Sequence, residues 1–240
     1  MSEAVSTAAK QPGIALCSGG MDSLVMAEFC TRESELRLLH VNYGQRTEAK
    51  ELSCFHRIAE YLNVPARRRL VADIGYLRKI GGSALTDEGI DVPAADLERR
   101  GVPATYVPFR NAHLVAIAVS WAEVIGAKNI YIGAVEADSS GYPDCRPEFY
   151  EAMNEAIRRG TKEGSGIVVK APFLRLRKKD IVLMGKSMGV PFEHSWSCYR
   201  NGERACGACD SCALRLRAFA EAGVEDPLPY ETRPGTPGTG

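Results

Sequence analysis

The sequence holds 240 residues, 45% apolar and 25% charged, which is the balance of a soluble globule and not of a disordered or fibrous chain. Thirty basic residues offset thirty acidic ones, and a zero net charge argues against a broad nonspecific nucleic-acid surface. No apolar run is long enough to cross a bilayer, and residues 1–12 lack the apolar core of a secretory signal, so the expected setting is cytoplasmic. In chain order, residues 1–12 read as a flexible lead. Residues 13–17 (GIALC) form an apolar run between Pro12 and Gly19-Gly20, as a buried parallel strand would. A helix is expected to start near Asp22 or Ser23, both N-cap types. Residues 36–42 read as a second strand. Residues 46–63 read as an amphipathic helix, because Ala49, Leu52, Phe55, Ile58, Ala59 and Leu62 recur at helical spacing. Residues 67–72 read as a third strand. Residues 81–108 carry Pro and Gly punctuation and no period, and a loop of that length in a compact domain is functional or disordered. A nearly all-apolar helix at about 111–126 is placed in the core. A strand at 129–135, a helix at 147–160, a short strand at 167–170 and helices at 178–189 and 209–222 follow. The Pro- and Gly-rich end, 223–240, reads as a disordered tail.

This alternation predicts an α/β fold: a Rossmann-like parallel sheet with helices on both faces, its ligand at the carboxyl ends of the strands. Residues 13–193 would form that domain and 194–222 a small C-terminal segment.

The first strand runs into Ser18-Gly19-Gly20-Met21-Asp22-Ser23 and then a helix. Two glycines let the backbone turn tightly, the helix N-terminus offers unpaired N–H groups and partial positive charge, and two serines add hydroxyls. The result is an anion cradle of pyrophosphate size. The Gly-Lys-Ser/Thr of a Walker A loop and the three-glycine dinucleotide fingerprint are both missing. The string resembles the SGGxDS PP-loop of the ATP pyrophosphatases, which cleave ATP between its α and β phosphates. The nucleotide stretch would comprise Leu16, Cys17, Ser18, Gly19, Gly20, Met21, Asp22, Ser23, Leu24, Val25 and Met26.

Eight cysteines divide unevenly. Cys17, Cys30, Cys54 and Cys145 are scattered and read as small buried hydrophobes. Cys198, Cys206, Cys209 and Cys212 fall together, two CxxC steps sharing Cys209, with Gly207 easing the turn. Four soft ligands suit tetrahedral Zn²⁺ in a closed, structural site, with an iron–sulfur cluster as the alternative.

Read with the middle of the chain, these motifs resemble one family, 7-cyano-7-deazaguanine synthase of queuosine precursor biosynthesis. Its blocks appear in order: SGGMDS at 18–23, NYGQR at 42–46, SALT at 83–86, TYVPFRN at 105–111, EADSSGYPDCR at 136–146, the APF…KKD region at 171–180 and SWSCYRNGERACGACDSCALR at 195–215. The resemblance implies an ATP-dependent carbon–nitrogen ligase that turns 7-carboxy-7-deazaguanine and ammonia into the nitrile through adenylated acid and amide, with ATP and Mg²⁺ at one site. It implies Asp22 for Mg²⁺ or the phosphates, and Arg110 and Lys178 as cations for the α-phosphate. Lys178 belongs to a basic patch with Arg175, Arg177 and Lys179, of which one or two members would point inward. Arg110, Asp138, Tyr142, Asp144 and Arg146 would face the deazaguanine, since a carboxylate accepts two hydrogen bonds from a guanine-like edge and Tyr142 can stack. Adenylate chemistry needs no nucleophile, so Cys145 takes a packing role, and the four histidines read as structural. Partners would be small molecules, with no membrane and no direct nucleic acid; a homodimer is a candidate assembly. The family often has Gly where Phe109 stands, which puts Phe109 beside the nucleotide and raises the prospect of an altered acceptor. A tRNA thiolase of the same superfamily and a nucleic-acid-binding zinc module, carried by Arg200, Arg204, Arg215 and Arg217, are the competing readings.

Overall fold

The computed structural model describes residues 9–136 and 141–232. Five parallel strands form one sheet: β1 (Pro12–Leu16), β2 (Glu35–Asn42), β3 (Arg69–Asp73), β4 (Asn129–Ile132) and β5 (Val168–Lys170), in the order β3-β2-β1-β4-β5. Leu16 pairs with Leu39 on one side and Ile132 on the other, so the carboxyl ends of the three central strands lie level. The strand order reverses between β1 and β4, the place where a doubly wound sheet opens a crevice.

Among the described residues seven helices surround the sheet: α1 (Met21–Cys30), α2 (Glu48–Tyr61), α3 (Tyr76–Ile80), α4 (Arg110–Ile125), α5 (Pro147–Gly160), α6 (Lys178–Met188) and α7 (Asp210–Glu221). Side chains alternate across each strand, and the core follows that period. Ala15, Leu36 and Leu38 join Leu24, Phe55, Ile181 and Phe219 from α1, α2, α6 and α7. Ile14, Leu16, Leu39, Val41 and Ile130 join Val115, Ala118 and Ile157 from α4 and α5. Both faces are covered, which is why the strands read as apolar runs and not as alternating ones.

Four expectations are refined or overturned. The first helix starts at Met21 with Gly20 as its N-cap, two or three residues earlier than a side-chain cap at Asp22 or Ser23 would set it, and the Ser23 hydroxyl bonds back to the Gly20 carbonyl at 2.9 Å. Helix α4 is not wholly in the core: Ala116, Ser120 and Val124 share an outer face and Val124 is 82% exposed. The long loop at 81–108 is anchored. Arg46 donates to the carbonyls of Ala84, Asp87 and Ile90, and Ala95 N–H reaches Ala208 O at 2.8 Å. The tail is the fourth. Composition predicts disorder from residue 223, yet 226–232 fold back on the cysteine segment. Ala205 N–H bonds to Pro229 O and Glu231 N–H to Ala205 O, and Asp226, Leu228 and Tyr230 are buried. Two apolar side chains and one buried acid in that stretch outweigh its prolines. Residues 1–8 of the expected lead and 233–240 of the expected tail lie outside the described residues.

Candidate functional site

At the carboxyl end of β1 the chain must reverse into α1 in four residues. Gly19 takes φ +88°, in the left-handed region, and a Cβ there would stand 2.5 Å from the carbonyl oxygen of Glu51. Its own carbonyl accepts the Trp196 N–H at 2.8 Å. The Ser18 hydroxyl accepts the Gly20 N–H and donates to Ser23, both at 3.2 Å. The loop is therefore closed on itself, with the first N–H groups of α1 aimed outward over a cavity of about 280 Å³. Ser18, Gly20, Met21, Asp22 and Ser23 line it.

Asp22 is in the first turn of α1. Its Oδ2 accepts from Lys178 Nζ at 2.5 Å, while Oδ1 is buried with no hydrogen-bond partner. Lys178 opens α6 and is mostly buried. An ion pair that leaves one buried carboxylate oxygen without a partner, beside the glycine loop, fits a site for Mg²⁺ next to phosphate. Of the basic patch, Lys178 reaches the cavity wall; Arg175 and Arg177 are exposed, and Arg177 pairs with Glu221.

The opposite wall is aromatic and charged. Arg110 starts α4, donates to Tyr43 Oη at 3.2 Å and to Asn111 Oδ1 at 3.3 Å, and lies over the rings of Tyr43 and Tyr142. Tyr142 Oη bonds Thr105 and meets Tyr199 Oη at 3.2 Å. Beneath them Glu51 lines the cavity from α2. Burial pushes its carboxyl above the ordinary range, against the opposing pull of bonds from Thr47 and Gln45 and of the Arg110 charge. Cys17 and Cys145 also line the cavity, and burial drives their thiols up to about 12 and about 11, so both stay protonated.

The remaining expected residues fall elsewhere. Leu24, Val25 and Met26 are fully buried in the core behind the loop. Asp144 is buried behind Arg110: its Oδ2 accepts the Asn111 N–H at 2.9 Å, so it fixes the start of α4 and does not line the cavity. Arg146 is exposed beside α5 and also lies off the cavity wall. Asp138 lies outside the described residues. Phe109, expected near the nucleotide, is 57% exposed and packs edge-on against Phe149, away from the cavity. Its φ of +57° explains the position: a left-handed N-cap to α4 is where a glycine fits without strain. Conversely Tyr43, Gln45, Thr47, Glu51, Trp196 and Tyr199 all line the cavity without having been assigned roles, although NYGQR and SWSCY were visible as blocks.

The four clustered cysteines are buried, and their sulfurs all lie within 4.8 Å of one another. A tetrahedral Zn–S shell with bonds near 2.3 Å separates its sulfurs by about 3.8 Å; Cys206 and Cys212 stand at 3.9 Å. The backbone N–H groups of Arg200 and Cys206 point at the Cys198 sulfur, and that of Ala208 at Cys206, which favours thiolates. Gly207 has φ +73°, and a Cβ there would strike the Thr232 carbonyl. The donor set fits a single soft metal ion. Helix α7, which starts from this knuckle, sends Ser211, Leu214 and Arg215 to the cavity wall.

A family described as queuosine biosynthesis protein QueC matches residues 13–223. The chain belongs to this family. A relative from Chlorobium luteolum, named 7-cyano-7-deazaguanine synthase, is 54% identical over 222 residues, covering 92% of this chain and 97% of that protein. One of the same name from Koribacter versatilis is 56% identical over 224 residues, covering 92% and 93%. Among solved structures, a U34-tRNA thiolase NcsA from Methanococcus maripaludis with its [4Fe-4S] cluster is similar at a TM-score of 0.48 and 14% identity, covering 88% of this chain and 64% of that one. The blocks that carry the family resemblance converge on the cavity: SGGMDS forms the loop, NYGQR and TYVPFRN the aromatic wall, and SWSC the strap over Gly19. No helix among the described residues is long and apolar enough to cross a membrane.

Proposed function

We propose that this chain converts 7-carboxy-7-deazaguanine and ammonia, with two ATP, to 7-cyano-7-deazaguanine, as an ATP-dependent carbon–nitrogen ligase of queuosine biosynthesis. The observation that carries the reading is the Asp22–Lys178 pair set over the glycine loop, facing Arg110 and its tyrosines across one cavity. A carboxylate is a poor electrophile. ATP activates it as the acyl-adenylate with loss of pyrophosphate, ammonia displaces AMP to give the amide, and the amide oxygen is adenylated in turn so that loss of AMP leaves the nitrile. Both activations use the same phosphate geometry, so one loop serves both.

The loop N–H groups and the Ser18 and Ser23 hydroxyls hold the departing pyrophosphate. Lys178 and Arg110 stabilise charge at the α-phosphate, the place where it grows in the transition state. Asp22 holds Lys178 in place and would hold Mg²⁺ through its free oxygen; when bound, that ion neutralises phosphate charge. Tyr142 and Arg110 offer flat faces to a planar base. The cysteine knuckle would hold one Zn²⁺ in a structural role. A cluster would place iron and sulfide between its ligands and spread them further apart.

The thiolase reading needs an activated thiol, and the two cavity thiols are held protonated. The nucleic-acid reading needs free arginines. Arg215 is buried against Asp226, Arg204 bonds Tyr230 O, Arg200 bonds Val92 O and Arg217 pairs with Glu221 at 3.9 Å.

Asp22→Ala tests the proposal. With ATP, ammonium and the deazaguanine acid, AMP formation should fall at least about 100-fold while the folded circular-dichroism spectrum persists. AMP at the wild-type rate would refute the loop assignment.

A further inference from the structure

The adenylation steps account for Asp22, Lys178, Arg110 and the glycine loop, but leave one buried acid in the cavity unexplained. We propose that Glu51 is the carboxylate that selects the acceptor, by accepting the adjacent N1–H and 2-amino hydrogens of a guanine-like ring. This rests on the function proposed above.

The geometry prepares Glu51 for such a task. Gln45 Oε1 accepts the Tyr43 N–H at 2.8 Å, which fixes the amide so that its Nε2 donates to Glu51 Oε2 at 3.0 Å. Thr47 Oγ1 lies 2.5 Å from Oε1. Each oxygen thus has one neighbour from the protein and lone-pair capacity left over, and both donors come from the turn that opens α2. A carboxylate held from behind in this way is acceptor-only toward the cavity. Arg110 lines the same cavity and donates to the Tyr43 hydroxyl. The cavity therefore holds an acceptor-only group as well as a donor-only group. A lactam ring with two N–H donors on one edge matches the acceptor, and one lacking the amino group leaves a lone pair of Glu51 unmet. Asp144 cannot take the role, since it lies behind the wall bonded to Asn111.

The test compares two acids as substrates, measuring AMP release against acid concentration: 7-carboxy-7-deazaguanine, and 7-carboxy-7-deazahypoxanthine, which lacks only the 2-amino group. The wild type should lose about 30-fold or more in kcat/KM with the second acid, as expected for an unpaired charged acceptor. Glu51→Gln presents one acceptor and one donor to the two N–H groups. It should raise KM for the first acid at least about 10-fold, bring the two acids within about threefold of each other and leave KM for ATP unchanged. Glu51→Asp, which keeps the charge on a shorter arm, should recover part of the discrimination. If the wild type treats the acids alike within threefold, the assignment is overturned whether or not any variant folds. It is equally overturned if Glu51→Gln weakens both acids by the same factor, for then Glu51 is only the counter-ion of Arg110. No AMP from the first acid with the wild type would overturn the proposed function itself, and this assignment with it.

Discussion

Phe109 shows how far a single residue can mislead and inform. Its place in the VPFRN block, where the family often carries Gly, suggested a side chain near the nucleotide. The backbone gives a different reason for glycine: φ is +57° at the N-cap of α4, and the ring lies outside, against Phe149. A left-handed conformation costs a non-glycine residue about 1 kcal/mol or more. The edge contact between two aromatic rings returns about 0.5–1.5 kcal/mol. Phe109→Gly should therefore leave stability within about 1 kcal/mol of the parent, by urea denaturation, with KM for the acid unaltered. A KM change above tenfold would mean that the ring does reach the acceptor. The same scale accounts for Glu51. Its role rests on Gln45 and Thr47 six and four positions upstream, which a strand-to-helix turn folds under it. Helical spacing marks where an apolar face lies, but says nothing about which polar residue of the first turn looks inward.

At the level of elements, the strand–turn–helix of residues 12–30 was readable because its chemistry is local. Glycines, serines and an acid follow an apolar run, and backbone sterics do the rest. Gly19→Ala tests that logic. The new methyl would meet the Glu51 carbonyl at 2.5 Å in a φ of +88°, so the loop must move. ATP affinity should fall at least tenfold in a binding titration, with about 1–3 kcal/mol lost in stability. The cysteine knuckle was equally readable, since ligand spacing is a sequence property. Cys209 is shared by both CxxC steps and is fully buried. Cys209→Ser should abolish bound metal by elemental analysis, and a chelator that lowers the melting temperature of the parent should then have no further effect. Unchanged metal content would refute the ligand set. Less readable were the elements whose order depends on distant partners. The 81–108 loop has no period of its own and is held by Arg46 and by Asp210, which accepts from Asp96 N–H and Arg99. The tail is held by Arg215, and composition contains neither fact.

Across the whole molecule the parallel sheet and the placing of a ligand at its carboxyl edge followed from the β/α alternation, whereas the strand order and the coupling between the two ends of the chain did not. Arg215 is a large, fully buried side chain and joins three segments. Its guanidinium bonds both oxygens of Asp226 at 2.8 and 2.9 Å, Ser195 Oγ at 2.8 Å and Ser197 Oγ at 3.2 Å. Between those serines, Trp196 N–H grips the Gly19 carbonyl. The folded-back tail thus braces the strap that braces the glycine loop, through one buried ion pair. A buried pair adds little net energy when intact, but breaking it leaves an uncompensated charge that costs about 3–5 kcal/mol. Asp226→Asn keeps the shape and removes the charge. For a chain of this size a loss of that order lowers the melting temperature by about 6–20 °C. Because the strap loosens with it, KM for ATP should rise several-fold at temperatures well below the new midpoint, while Asp22, Lys178 and the aromatic wall keep their places. A variant that melts early yet binds ATP as the parent does would show that the pair only stabilises the fold and that the tail has no hold on the loop.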